Sequence, residues 1–181
     1  LSLALAFVIP MICFYTNIAR ISKGHENYKN IYSLCVDHVQ VSSPGFGDFL
    51  KGRVPEIDKV TSPILNNGWY DIENTNRKIH YVDKDFFYFF PAKFSKGGID
   101  FLDTPNSIAV SKEFADYLAK SGPVIGREID HKSNRYIVNA VFDEYGSNVL
   151  SGCDILMNNE AIRKSGHKDF IHGHRGSMTF F

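Results

Sequence analysis

The motifs by which many enzymes are recognised are missing from this chain. It has no G-x-S-x-G nucleophile elbow, no G-x-G-x-x-G dinucleotide turn and no helical H-E-x-x-H, and no Walker lysine follows Gly45-Phe46-Gly47. Each of those orders places a nucleophile, a phosphate cradle or a metal, so the corresponding chemistries lose their usual support. Cysteine is scarce. Cys13, Cys35 and Cys153 are the 3 in 181 residues, too widely spaced for a Cys-pair metal site. Excess charge is lacking too, because 20 basic residues balance 20 acidic ones, and no overall field draws the chain to nucleic acid. Low-complexity linkers, heptad runs and internal repeats do not occur.

Charge of either sign is absent from residues 1–19, where Leu, Ala, Ile, Val, Phe and Met dominate. As a helix this stretch would reach ~28 Å, close to the ~30 Å of a bilayer core. Arg20 and Lys23 follow it. A secretory signal would bring a basic start and a small-residue cleavage site, and neither is visible. Pro10 is better tolerated in a membrane helix than in a soluble one. The expectation is a transmembrane helix at 1–19, truncated at its start because the chain opens on Leu1, with a polar helical extension at 20–30. The domain then occupies 31–181 and is expected to be incomplete at its C-terminus.

Within that domain, alternation predicts a strand at 31–41, and Ser43-Pro44 opens a helix bearing Phe46, Phe49 and Leu50, ended by Gly52 and Pro55. A short strand is expected at 60–65, closed by a turn at Asn66-Asn67-Gly68, and another at 78–82. After Gly97-Gly98, residues 107–110 read as a buried strand. Ser111 is a good N-cap for a helix with Phe114, Ala115, Leu118 and Ala119 as its apolar stripe, and Gly122-Pro123 stops it. A hairpin joins 127–129 to 135–142 around His131-Lys132-Ser133-Asn134. Strands follow at 154–157 and from Met178. Strands interleaved with a few helices, without regular βαβ spacing, give an α+β class with a mixed sheet and room for two small lobes.

Few groups invite chemistry. His167, Asp169, His172 and His174 form a cluster whose H-x-H pair could offer two rings to zinc, but its Gly, Lys and Arg neighbours are those of a solvated loop. Asp83 and Asp85 suit helix capping better than acid-base work. The run Phe86, Phe87, Tyr88, Phe89 and Phe90 is either core or a ligand-facing patch, and large rings favour core. Ser151-Gly152 lacks a strand-elbow-helix setting. Cys35 and Cys153 form a disulfide in an oxidising compartment, or stay as two buried thiols. No catalytic, cofactor-binding or metal-binding residue is assigned, and no cofactor is expected.

One ordered series remains. The apolar helix leads to Lys29-Asn30-Ile31-Tyr32. Then come Val82-Asp83-Lys84-Asp85-Phe86-Phe87-Tyr88-Phe89-Phe90 and Asn106-Ser107-Ile108-Ala109-Val110-Ser111-Lys112-Glu113-Phe114-Ala115. Gly122-Pro123-Val124-Ile125-Gly126-Arg127-Glu128-Ile129 and Tyr136-Ile137-Val138-Asn139-Ala140-Val141-Phe142-Asp143 complete it. This series resembles the extracytoplasmic domain after the first membrane helix of MacB/FtsX-type ABC transporter permeases, in the version common in Bacteroidota. It departs from the family pattern at Ser33, where Arg is usual, at Ala140, where Gly is common, and at Lys120-Ser121, where Phe-Gly is usual.

The resemblance implies a permease subunit in the inner (cytoplasmic) membrane with its main domain in the periplasm. It implies no enzymatic activity in this chain. ATP would be hydrolysed by a partner ABC-type ATPase subunit, and the permease would convert that work into substrate export or envelope mechanotransmission. The implied partners are the ATPase, a second permease copy as homodimer or pair, membrane lipid, and a periplasmic or outer-membrane protein. The competing reading is a single-pass membrane-anchored extracytoplasmic sensor or ligand-binding domain, with the aromatic-rich part as its surface.

Overall fold

In the computed structural model, residues 31–33, 51, 53–104, 106–143, 150–160 and 180 are described, apart from the side chains of Asn66 and Asn67. The expected membrane helix at 1–19, its extension at 20–30, most of the strand at 31–41 and most of the helix from Ser43 lie outside them. No helix among the described residues is long and apolar enough to cross a membrane.

The strands are β1 (Ile64–Ile72), β2 (Thr75–Val82), β3 (Lys93–Lys96), β4 (Ser107–Ser111), β5 (Glu128–His131), β6 (Asn134–Asp143) and β7 (Ile155–Asn158). Between them lie helices α1 (Phe86–Phe89) and α2 (Lys112–Ala119) and a 3-10 turn at Ile99–Asp103. The strands form one mixed sheet in the order β1-β2-β7-β4-β6-β3, with β5 also paired to β6. β2 runs parallel to β7 and β4 parallel to β6, while the other neighbours are antiparallel. The β4–β6 pair is parallel because α2 and β5 intervene and supply the crossover that parallel strands require.

Side-chain alternation puts a core on each face of this sheet. Ile79 and Tyr81 of β2, Ile108 and Val110 of β4, and Ile155 and Met157 of β7 share one face. Val82, Ala109 and Leu156 belong to the other. Burial on both sides explains why β4 is buried along its whole length and reads as a run rather than an alternation. In β6, Tyr136 and Val138 lie on the first face but Ala140 and Phe142 on the second. Residues of equal parity change face because the register with β4 skips Asn139, pairing Ile108 with Val138 and Ala109 with Ala140. The room for two lobes is thus filled by two cores around a single sheet.

The first face is covered by α2, which begins where expected: the Ser111 hydroxyl accepts from the Phe114 N–H at 3.1 Å. Phe114, Ala115 and Leu118 are buried; Ala119, expected on the same stripe, is exposed because the helix ends there. α1 and the 3-10 turn cover the second face with Phe86, Phe87, Phe101 and Leu102.

Several boundaries differ from the sequence reading. Asn66-Asn67-Gly68 is not a turn. β1 continues through it with a register shift between Leu65 and Trp69, a bulge in the edge strand. The reversal occurs at Glu73-Asn74, both with positive φ (53° and 59°), so β2 begins at Thr75 rather than Lys78. The β5–β6 loop is tighter than expected: His131 pairs with Asn134 across Lys132-Ser133, whose φ values are 46° and 63°. β3 and the 3-10 turn were not anticipated, because four-residue β3 holds a single half-buried ring, Phe94, among exposed residues. The turn Val124-Ile125-Gly126-Arg127 closes with an Arg127 N–H to Val124 C=O bond of 3.2 Å, and Gly126 supplies the required positive φ of 82°.

Candidate functional site

β2 and β7 run in parallel and finish together at Val82 and Asn158. Asp83 follows β2 directly, and its carboxylate gathers the backbone around it. The Thr61 hydroxyl donates to it at 2.9 and 3.0 Å, the Ser62 N–H at 3.3 Å and the Phe86 N–H at 2.8 Å. Burial raises the Asp83 carboxyl above its ordinary range, against the opposing pull of those hydrogen bonds. The expected capping role therefore falls to Asp83, which holds the first turn of α1. Asp85 instead faces Lys51 at 3.0 Å and Lys59 at 3.5 Å. Such partly exposed pairs contribute at most about 1 kcal/mol each.

Thr61 also joins a distant part of the chain. Its N–H donates to the Phe180 carbonyl at 3.0 Å and its carbonyl accepts from the Phe180 N–H at 2.9 Å. Phe180 forms a second antiparallel bridge with Ser33. The Phe180 ring meets Phe90 edge-on, with centroids 5.0 Å apart. Asn159, just past β7, donates from Nδ2 to the Ser62 carbonyl at 3.1 Å. The incoming chain at Ser33 and the late chain at Phe180 thus meet at the end of the sheet where β2 and β7 finish.

The aromatic run divides by side chain. Phe86, Phe87 and Phe89 are buried, Phe90 is half-buried and Tyr88 is exposed. Phe86 and Phe87 pack edge to face at 5.3 Å, and Phe87 meets Phe94 at 5.5 Å, so this run builds the second core.

Arg127, beyond the Gly126 turn, ties the end of α2 to the β1–β2 turn. It donates to the Leu118 carbonyl at 3.1 Å and the Ser121 hydroxyl at 2.8 Å at the end of α2, and pairs with Glu73 at 3.0 Å. Arg77 lies over the Phe114 ring at 4.3 Å and pairs with Asp154 at 2.9 Å, both side chains mostly buried. His80 and His131 each keep one ring nitrogen buried without a partner among the described residues, and burial lowers the pKa of both below the ordinary histidine value. The Arg127 and Arg77 contacts hold the fold together.

His167, Asp169, His172 and His174 lie outside the described residues, as does Cys35. Among the described residues no group of His, Cys, Asp and Glu could hold a metal. Cys153 is buried, with Sγ 3.3 Å from the Ile155 carbonyl oxygen. Ser151 is exposed on a turn beside Gly152, with no base against it in the described contacts.

No protein-family model and no curated protein matches the sequence. Solved structures match the fold. A domain of a Porphyromonas gingivalis protein described as a permease superposes with a TM-score of 0.62 at 17% identity, covering 78% of this chain and 62% of that domain. The periplasmic region of MacB from Actinobacillus actinomycetemcomitans gives 0.58 at 13% identity, over 83% of this chain and 72% of its own. The extracellular domain of the ABC-type transporter YknZ from Gram-positive bacteria gives 0.54 at 14%, over 83% and 81%. The class this defines is an α+β domain with a mixed sheet, known from extracytoplasmic parts of membrane transporters. Its particular form is the fold of the MacB-like periplasmic core domain.

Proposed function

We propose that this chain is part of an ABC transporter permease subunit, anchored in the inner membrane through residues 1–19, with the sheet domain in the periplasm. In this reading it carries no catalysis. A separate ATPase subunit hydrolyses ATP, a second permease copy completes the membrane unit, and the domain passes movement to a substrate or an envelope partner. The observation that carries the proposal is the meeting of Ser33 and Phe180. A domain whose incoming and late segments lie side by side is suited to standing on membrane segments and to feeling their relative displacement. The fold shared with the MacB periplasmic region supports the same reading.

The test combines topology and partnership. Lys132, exposed on the β5–β6 turn, is replaced by cysteine, and cells are treated with a membrane-impermeant maleimide beside the unsubstituted chain. Labelling of Lys132→Cys before lysis, together with co-purification of an ABC-type ATPase with the detergent-extracted full-length protein, is the expected result. Labelling only after lysis would overturn the periplasmic placement. Extracytoplasmic labelling without an ATPase would favour the anchored sensor.

A further inference from the structure

We infer that Asp83 is a clasp: its carboxylate fastens the paired segments at Thr61 and Phe180 to the end of the sheet, and these segments release together while both cores stay intact. The geometry of the described residues carries this clasp, independent of the transporter reading.

Thr61 faces two ways. Its backbone makes both hydrogen bonds of the antiparallel bridge to Phe180, while its hydroxyl reaches both oxygens of Asp83. Asp83 is continuous with β2, a strand flanked by β1 and β7. One carboxylate therefore stands between the central sheet and a pair of segments that are far apart in the chain, at Thr61 and Phe180. Its other donors, the N–H groups of Ser62 and Phe86, fix its orientation. Beyond this polar link, Phe180 also bridges Ser33, Asn159 reaches the neighbouring Ser62 carbonyl at 3.1 Å, and the Phe180 ring packs edge-on against half-buried Phe90. The Thr61–Phe180 pairing is a single isolated bridge rather than a ladder. A short pairing fastened at a few points, with the Asp83 carboxylate the one that reaches Thr61 itself, is the kind of unit that opens locally, below the free energy of global unfolding.

The chemistry demands a carboxylate. Each of its oxygens accepts more than one hydrogen bond, whereas the amide nitrogen of an asparagine can only donate and would face a donor. Asp83→Asn keeps the size and shape and removes half of the accepting capacity.

Hydrogen exchange, read residue by residue by NMR on the full chain in lipid nanodiscs, tests the clasp. In Asp83→Asn, the Thr61 and Phe180 amides are expected to exchange at least tenfold faster and to accelerate together, with the amides of β4 and β7 unchanged. Three results would overturn the inference: no acceleration at the pair, acceleration of one member alone, or equal acceleration in β4 and β7. Should Asp83→Asn fail to fold, Thr61→Val removes the hydroxyl while keeping the backbone bridge, and Thr61→Ser restores it. The same paired acceleration is expected in Thr61→Val and its reversal in Thr61→Ser, and their absence would equally overturn the clasp.

Discussion

Two glycines separate two reasons for having no side chain. A Cβ on Gly97 would lie 2.3 Å from the Asn139 carbonyl oxygen and 3.0 Å from Ala140, and φ there is +64°. A Cβ on Gly126 would meet nothing within 4 Å, although φ is +82°. Gly126→Ala should therefore cost about 1–2 kcal/mol, the left-handed backbone alone. Gly97→Ala adds a backbone clash and should cost roughly 2–4 kcal/mol. Urea unfolding of the two variants checks the order, and a Gly97→Ala variant no less stable than Gly126→Ala would refute this account. The Gly97 approach also explains a small residue at 140: Ala140 is fully buried beneath it.

At the level of elements, both β1–β2 and β5–β6 reverse through two residues with positive φ and no glycine. Ser133→Gly should relieve that strain, stabilising the domain by about 0.5 kcal/mol after the added backbone entropy of glycine. Lys132→Gly should gain nothing, because Lys132 Nζ lies 5.1 Å from the Tyr70 ring centroid and that contact would be lost. Thermal unfolding distinguishes the pair. These hairpins also show how far the sequence could be read. Ser111, Gly122-Pro123, the buried run at 107–110 and the aromatic core were legible because capping, chain reversal and burial act locally. Glu73-Asn74 was not, since tertiary contacts hold it: the Tyr117 hydroxyl donates to the Glu73 carbonyl and Arg127 pairs with its carboxylate. Asn66-Asn67-Gly68 misled because the same residues that favour turns also favour bulges. The link from Asp83 to Thr61 was hidden for another reason. It joins residues 22 positions apart whose separate sequences carry no pairing signal, and Phe180 is farther still.

For the whole molecule, the buried histidines contribute to the response to acid in one direction. Burial lowers the His80 pKa below its ordinary 6.5, so the folded domain holds the ring neutral where the unfolded chain takes up a proton. Stability should be level for this group above about pH 7 and fall as pH drops below 6.5, by at most about 1.4 kcal/mol per pH unit. His131, lowered for the same reason, acts in the same direction. Asp83, whose carboxyl is raised, acts oppositely and only nearer the carboxylate range. Calorimetry between pH 7.5 and 5.5 should show a falling Tm that flattens in His80→Leu, and an unchanged slope in that variant would remove His80 from the explanation.

The bridge between Ser33 and Phe180 has a consequence for engineering. Residues directly opposite in an antiparallel pair stand only about 4.5–5.5 Å apart at Cα. A cysteine at each of these two positions would therefore stand within the roughly 4.4–6.8 Å Cα separation that a disulfide spans, so the bridge can be locked covalently.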